Sequence, residues 1–379
     1  MSEFSSSLFW LLGLTLIPPA IISALTLYPI RRHAGRLGLV ARPGGHSTHV
    51  NVTPLGGGLG IWAGIMITFA AGTFAVWLLR QSPDLQSSVP EFFVVHLDGV
   101  WSRCAQLWAL LGAGSVLVAL GFIDDRRGVN PWIRLAIEFA VAGYVVYGLG
   151  FGLTAFIGIE WLTNLLSILW IVGLINSFNM LDNMDGLSGG VAAIISASMA
   201  IVMLTTPESG SMVSQLFVAA LLLVVLGSLL GFLWHNRPPA KIFMGDAGSY
   251  LVGFLIAVAM LMATYAGNIS ERPHAVLAPL CVMAVPLYDM TTVLWIRIRE
   301  GRSPFVGDRS HFSHRLVDLG LSRVQAVLTI YLVTGTCGIA AVLLTTVSIF
   351  QAVMVIGVVL CMLSLVIILE STQWRNNDS

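Results

Sequence analysis

Charge is what this 379-residue chain has least of: only 10% of residues are Asp, Glu, Lys or Arg, while 56% are hydrophobic. That balance excludes the soluble class and reads as a polytopic membrane protein. Lysine is almost missing, since eighteen of the nineteen basic residues are Arg and the other is Lys241. Cysteine is scarce as well. Cys104, Cys281, Cys337 and Cys361 have no metal-ligand spacing, so neither a disulfide framework nor a zinc site is expected. No internal repeat and no low-complexity segment is visible. No Lys or Arg precedes Leu8, and basic residues follow the first apolar run. That order is wrong for a cleaved signal peptide and right for a first helix entering from outside. Formal net charge is zero, so the total says nothing about partners, whereas the distribution does.

What is present is a series of apolar runs long enough to cross a bilayer, which takes roughly 17 to 25 residues. Eleven are read, at 8–30, 55–79, 106–123, 132–150, 161–177, 187–205, 212–234, 247–266, 275–297, 323–345 and 347–369. The count becomes ten if the tightly joined last two are miscounted. The expected fold is all-α, a single domain over 1–379, with the N-terminus outside and the C-terminus cytoplasmic. With that topology only Arg80, Arg103 and Arg272 fall outside, and the other sixteen basic residues fall on the cytoplasmic side or at helix ends facing it. The cytoplasmic face is then electropositive, suited to anionic substrates and lipid headgroups. The segment 80–105 is expected to be an external loop with a short amphipathic piece.

Polar residues segregate to the same side. The first such loop runs from Arg31 to Gly58, with Arg42, His46, His49 and Thr53-Pro54-Leu55-Gly56-Gly57. His46 and His49 are read as solvated loop residues. Asp124-Asp125 ends a run and is followed by Arg126 and Arg127. Adjacent helical residues point about 100° apart, so two different jobs are expected of that pair rather than one shared ion. Asn176 to Gly186 places Asn179, Asp182 and Asp185 at i, i+3 and i+6, where neighbouring members share a helix face. Oxygen-only ligands of this kind suit Mg²⁺, which keeps waters and bridges phosphates. Gly245-Asp246-Ala247-Gly248-Ser249 opens a span, and Asp246 is expected to N-cap that helix while a ligand phosphate sits at its N-terminus. Arg297, Arg299, Arg302, Arg309, His311, His314 and Arg315 form a cationic stretch suited to a phosphate clamp. Asp289 lies within a span and is expected to face the bundle with an Arg or hydroxyl partner, without a catalytic role.

Five segments together resemble the polyprenyl-phosphate N-acetylhexosamine-1-phosphate transferases, over nearly the whole chain. They are Thr53-Pro54-Leu55-Gly56-Gly57, Asp124-Asp125, Asn176-x-x-Asn179-x-x-Asp182-x-x-Asp185-Gly186, Phe243-Met244-Gly245-Asp246-Ala247-Gly248-Ser249, and Ser303-Pro304-Phe305 through Asp308-Arg309-x-His311-x-x-His314. The resemblance implies transfer of HexNAc-1-phosphate, GlcNAc-1-phosphate first, from a UDP-sugar to undecaprenyl phosphate with release of UMP. It implies a Mg²⁺ cofactor, with Mn²⁺ as a substitute, on Asp246 and Asn179. Asp185, Asn236 and Phe243 match positions that hold the uracil, and Arg134 a basic residue near the lipid phosphate. Asp124 and Asp125 match the acidic pair facing that phosphate, with a debated part as base. Asp182 matches an acid debated between metal and nucleotide. Arg309, His311 and His314 match the motif beside the diphosphate. The setting implied is the bacterial cytoplasmic membrane with the site facing the cytoplasm, among membrane lipids, as a homodimer and with no nucleic acid. Three departures stand out: Asn183 where relatives usually have Gly, Ser313 within what is His-x-His-His in the GlcNAc-type enzymes, and no run of three histidines. The last weighs against the alternative substrate of this family, UDP-MurNAc-pentapeptide. A reading from another class, a secondary transporter, would place its acids near the midplane and often show repeated halves. Substrate flux without UMP release would mark it.

Overall fold

The computed structural model describes residues 2–41, 53–153, 158–205, 212–263, 273–305, 307 and 309–377. The fold is helical apart from one ladder of two residues on each side, Val40–Ala41 (β1) antiparallel to Thr53–Pro54 (β2). In chain order the α-helices are α1 Ser2–Leu37, α2 Gly57–Gln81, α3 Pro83–Gln86, α4 Glu91–Arg127, α5 Pro131–Gly143, α6 Glu160–Leu181 and α7 Leu187–Thr205. They continue as α8 Met212–Asn236, α9 Gly245–Met262, α10 Ala278–Val282, α11 Ala284–Arg299, α12 Phe312–Asp318, α13 Arg323–Leu344 and α14 Ile349–Asn377. Among the described residues nine helices are long and apolar enough to cross a membrane, and α10 with α11 makes a tenth, bent by 62°. The Pro286 ring removes a backbone donor in the first turn of α11, which accounts for a break at that point.

Two expectations change. The segment 80–105 is not mainly a loop, because α4 begins at Glu91 and runs 37 residues. No Pro interrupts α4, and Arg80 reaches across to Asp98 at 3.0 Å and over the Trp101 ring. The run 132–150 is α5 followed by a π-helical turn, Tyr144–Gly148, rather than one long regular helix. It runs antiparallel to α6, since Glu138 meets Asn176 while Leu153 N–H donates to Ser167 Oγ at 2.7 Å.

The bundle is arranged around α9. Its apolar window is 89% buried, against 11% for α1 and 17% for α14. Helices α2, α4 and α6 pack most closely on α9, α7 and α8 also touch it, and α1 and α13 join through α8 and α7. Outer helices expose Ile17, Ile21, Leu25, Val353 and Val358, as expected when the solvent is lipid. Close contact of α4 with α9 requires Gly121: a Cβ there would lie 2.3 Å from the Ala247 backbone nitrogen. This crossing sets the end of α4, with its two acids, against the beginning of α9.

Candidate active site

Four of the polar clusters converge at the start of α9, and the fifth docks on them. The backbone first ties two loops together. Phe243 N–H donates to Pro54 C=O, and the Gly57 and Gly58 N–H groups donate to Phe243 and Met244 C=O, each at 2.9 Å. The Thr53-Pro54-Leu55-Gly56-Gly57 segment therefore holds the 243–244 strand-like piece in place. The chain then turns at Gly245, whose φ of 71° is costly for any residue with a Cβ.

Asp125 sits beneath that turn. Its carboxylate accepts the N–H of Asp246 at 3.0 Å and of Ala247 at 3.4 Å. It thus serves as the cap of α9 from another helix. Asp246 does not cap α9 as expected; its side chain makes no cap hydrogen bond, and Met244 occupies the cap position. The reason is geometric: Asp125 already fills the space below the first N–H groups. Asp246 is left with its carboxylate turned to α6, where Asn179 Nδ2 donates to Oδ1 at 2.7 Å and also reaches Ser249 Oγ at 3.2 Å.

Asp124 has separate partners, as the sequence reading anticipated. Oδ1 accepts Val129 N–H at 2.7 Å, and Oδ2 accepts the Tyr250 hydroxyl at 2.9 Å. Arg134 Nη1 lies 3.5 Å from the same Oδ2, with its guanidinium over the Tyr250 ring. Arg134 comes from α5, which Asn130 caps by accepting Trp132 N–H at 2.9 Å, with Pro131 at the first helical position. Glu138, one turn further and fully buried, lies between Arg134 at 3.8 Å and the Asn176 carboxamide.

The α6–α7 turn supplies the next three groups. Asp182, just past α6, is pushed up to about 7, first by burial and then by the Asp125 carboxylate; the Gly245 N–H opposes the rise and Asp185 adds to it. Asp185 Oδ2 accepts Ala240 N–H at 2.9 Å, while its Oδ1 is buried with no hydrogen-bond partner. Asn236 uses its carboxamide internally, accepting Gly186 N–H at 2.9 Å and donating to Ile242 C=O at 2.8 Å. It braces the turn against the 236–244 loop. Phe243, within that loop, is half-buried.

The histidine segment folds as α12 and packs onto this floor. His311, Ser313, His314 and Arg315 are buried, whereas Arg309 is exposed. Ser313 Oγ lies 2.5 Å from Asn183 Oδ1, and Asn183 Nδ2 donates to Met180 C=O at 2.9 Å. The two departures named above therefore touch each other. Asp289 has His311 and the Phe312 N–H as partners, not the Arg or hydroxyl expected. Burial lowers His314 to about 4, helped by the nearby His311 and Arg309, with Asp318 and Asp289 opposing. Arg42, His46, His49 and Asp308 lie outside the described residues.

Residues 107–264, which carry three of these five clusters, match the family model described as glycosyl transferase family 4. Over 353 residues the chain is 34% identical to a decaprenyl-phosphate N-acetylglucosaminephosphotransferase of Mycobacterium tuberculosis (strain ATCC 25618 / H37Rv), covering 87% of this chain and 81% of that protein. The chain belongs to the polyprenyl-phosphate N-acetylhexosamine-1-phosphate transferases. It is also 29% identical over 356 residues to a probable undecaprenyl-phosphate N-acetylglucosaminyl 1-phosphate transferase of Bacillus subtilis (strain 168), covering 92% and 89% of the two chains. The undecaprenyl-phosphate alpha-N-acetylglucosaminyl 1-phosphate transferase of Escherichia coli (strain K12) is 29% identical over 325 residues, covering 84% and 79%.

In a family member the question is whether these residues suit a divalent cation. Among the described residues no three His, Cys, Asp or Glu side chains are already arranged as a metal cage. Mg²⁺ does not require one, since it keeps several waters and takes one or two carboxylates plus substrate phosphates. The donor set fits: Asp246 and Asn179 are in contact, and Asp182 is raised in part by a neighbouring carboxylate, a repulsion that a cation would relieve. Tyr250, Glu138 and Glu370 were not read as site residues. Glu138 had a legible signal, a lone acid within the 132–150 apolar run, and Glu370 stands just past the end of the 347–369 run. Tyr250 had none.

Proposed function

We propose that the chain transfers N-acetylhexosamine-1-phosphate, GlcNAc-1-phosphate in the first instance, from a UDP-sugar to undecaprenyl phosphate and releases UMP, as the first membrane step of a cell-envelope glycan. The observation that carries the reading is the convergence of Asp124, Asp125, Asp182, Asp185 and Asp246 around one helix start, with Arg134 beside them. In the reaction an acceptor phosphate oxygen attacks the sugar-linked phosphorus. One phosphoanhydride bond forms as the bond to UMP breaks, so no ATP is consumed. Mg²⁺, held by Asp246 with Asn179, would neutralise the diphosphate.

The remaining roles belong to the protein's own side chains. Phosphoryl transfer depends chiefly on positioning and electrostatics. Arg134 is placed to hold the lipid phosphate, and Asp124 orients Arg134 and Tyr250 on either side of it. Little general-base help is needed there, since a phosphate monoester with a second pKa of about 6 is already mostly dianionic near neutral pH. Asp125 acts by fixing the α9 turn. Asp185 Oδ1, buried and unpaired, suits a nucleobase N–H, with Phe243 as the stacking surface. Arg309, His311 and His314 face the diphosphate as donors for charge developing on oxygen. The acceptor's headgroup lies at the interface while its tail stays in lipid, which suits a site at one end of the bundle. That end faces the cytoplasm of a bacterial inner membrane in this proposal, and the protein is a homodimer.

The experiment is UMP release by purified protein in detergent with undecaprenyl phosphate, Mg²⁺ and a panel of UDP-sugars, beside Asp246→Asn. Carrier- and metal-dependent UMP from one UDP-HexNAc, lost in the variant, establishes the reaction and its sugar. Folded protein that binds no uridine nucleotide removes the proposal.

A further inference from the structure

Asp289 is an acid without an assigned task, fully buried in the middle of α11. A lone carboxylate inside a membrane bundle is costly unless both oxygens are satisfied. Both are. Oδ2 lies 2.9 Å from His311 Nδ1, and Oδ1 accepts the Phe312 N–H at 2.6 Å. Phe312 is the first residue of α12, whose own cap residue, His311, makes no side-chain cap. Asp289 therefore caps α12 from a neighbouring helix and grips the ring of the residue before it.

We infer that Asp289 is a positioning residue for His311: it holds the Nδ1–H on its own carboxylate. In the neutral ring Nε2 is then the bare nitrogen on the phosphate side of the substrate, and it donates to a phosphate oxygen once it has taken up a proton. An ionised carboxylate offers only acceptors, so the Nδ1 it contacts must donate. The pair is not free to rotate as a unit, because α12 is docked on two further sides. Ser313 meets Asn183 from the α6–α7 turn, and Arg315 lies 3.2 Å from Glu370 of α14 and donates to Thr292 Oγ1 at 3.0 Å. A carboxylate hydrogen-bonded to one ring nitrogen sets which nitrogen a histidine presents to its ligand.

Asn at 289 tests this sharply because its carboxamide has one acceptor oxygen for two donors. Either Phe312 N–H loses its partner, or the Asn NH₂ turns toward Nδ1 and the ring proton moves to Nε2. That His311 faces the diphosphate rests on the proposed reaction; the tautomer does not. The first measurement is ¹⁵N NMR of protein carrying ¹⁵N-histidine, at a pH where the ring is neutral, with His311 assigned by the signal lost in His311→Gln. A protonated Nδ1 and bare Nε2 are expected, reversed or mixed in Asp289→Asn. A proton on Nε2 in the unaltered protein overturns the inference whether or not the transferase assay succeeds. In that assay Asp289→Asn is expected to lower kcat roughly 10- to 100-fold with little change in KM for the UDP-sugar. In a His311→Gln background the same change is expected to cost little more. Effects that multiply instead would show that Asp289 acts independently of His311.

Discussion

Asp124 and Asp125 are neighbours in the chain and have almost no partners in common. Asp125 accepts the first N–H groups of α9, so Asp125→Ala is expected to cost about 0.5–2 kcal/mol, the usual range for a lost cap. Asp124→Asn should leave the melting temperature near that of the unaltered protein and reduce UMP release instead. Thermal unfolding in detergent beside the activity assay separates the two. His314 gives a pH effect whose sign follows from burial. Its folded value near 4 lies below the ordinary histidine value of 6.5, so the unfolded chain binds the proton first as pH falls. The stability His314 contributes is whole above about pH 6.5 and is lost progressively down to about pH 4. Melting temperatures between pH 7.5 and 5 should fall less steeply in His314→Gln. The doublet of acids was legible in the order of residues, and so was the expectation that its members differ. Which acid caps α9 was not, because 121 residues separate Asp125 from the N–H it accepts.

At the scale of elements, helix crossings place the site. Gly121 lets α4 approach the α9 backbone, and no flexible side chain is present there to yield to a methyl group. Gly121→Ala is expected to push Asp125 off the α9 turn and lower UMP release at least 10-fold, since displacements near 1 Å can cost about 100-fold. Gly112→Ala in the same helix meets nothing within 4 Å and should be close to neutral, which makes it the control. The Asn183–Ser313 contact couples the α6–α7 turn to α12. Asn183→Ala and Ser313→Ala should each cost about 0.5–1.5 kcal/mol, typical of one hydrogen bond. The double variant should cost less than the sum, as thermal unfolding of all three would reveal. Both residues stood out in the sequence as departures from the family pattern. That they meet across 130 positions needed the fold.

Across the whole molecule, the last helix is tied to the centre by Glu370. Its carboxylate accepts the Tyr288 hydroxyl at 2.6 Å and pairs with Arg315, so α14 helps to hold the histidine helix although little of it is buried. Glu370→Ala leaves Arg315 with Thr292, the Ser310 C=O and the Tyr288 ring but no carboxylate, and should destabilise the protein by about 3 kcal/mol, near the low end for a broken buried pair. Unfolding in detergent checks the stability, and UMP release should fall with it because α12 loosens. The helical membrane class and the positions of the polar clusters could be read from residue order, because apolar runs of bilayer length declare themselves locally. Helix ends were legible where a cap and a breaker stand together before an apolar run, as at Asn130-Pro131, and misread at 80–105, where the mixed, Ser/Pro-rich composition hid a helix that starts just after Pro90. Which helices become neighbours was decided by the tertiary structure alone. In lipid an apolar side chain is equally satisfied by another helix or by acyl chains, so hydropathy carries no record of partners. The pairings of Asp125 with the α9 turn and of Asp289 with His311 depend on that choice of neighbours, and with them the shape of the site.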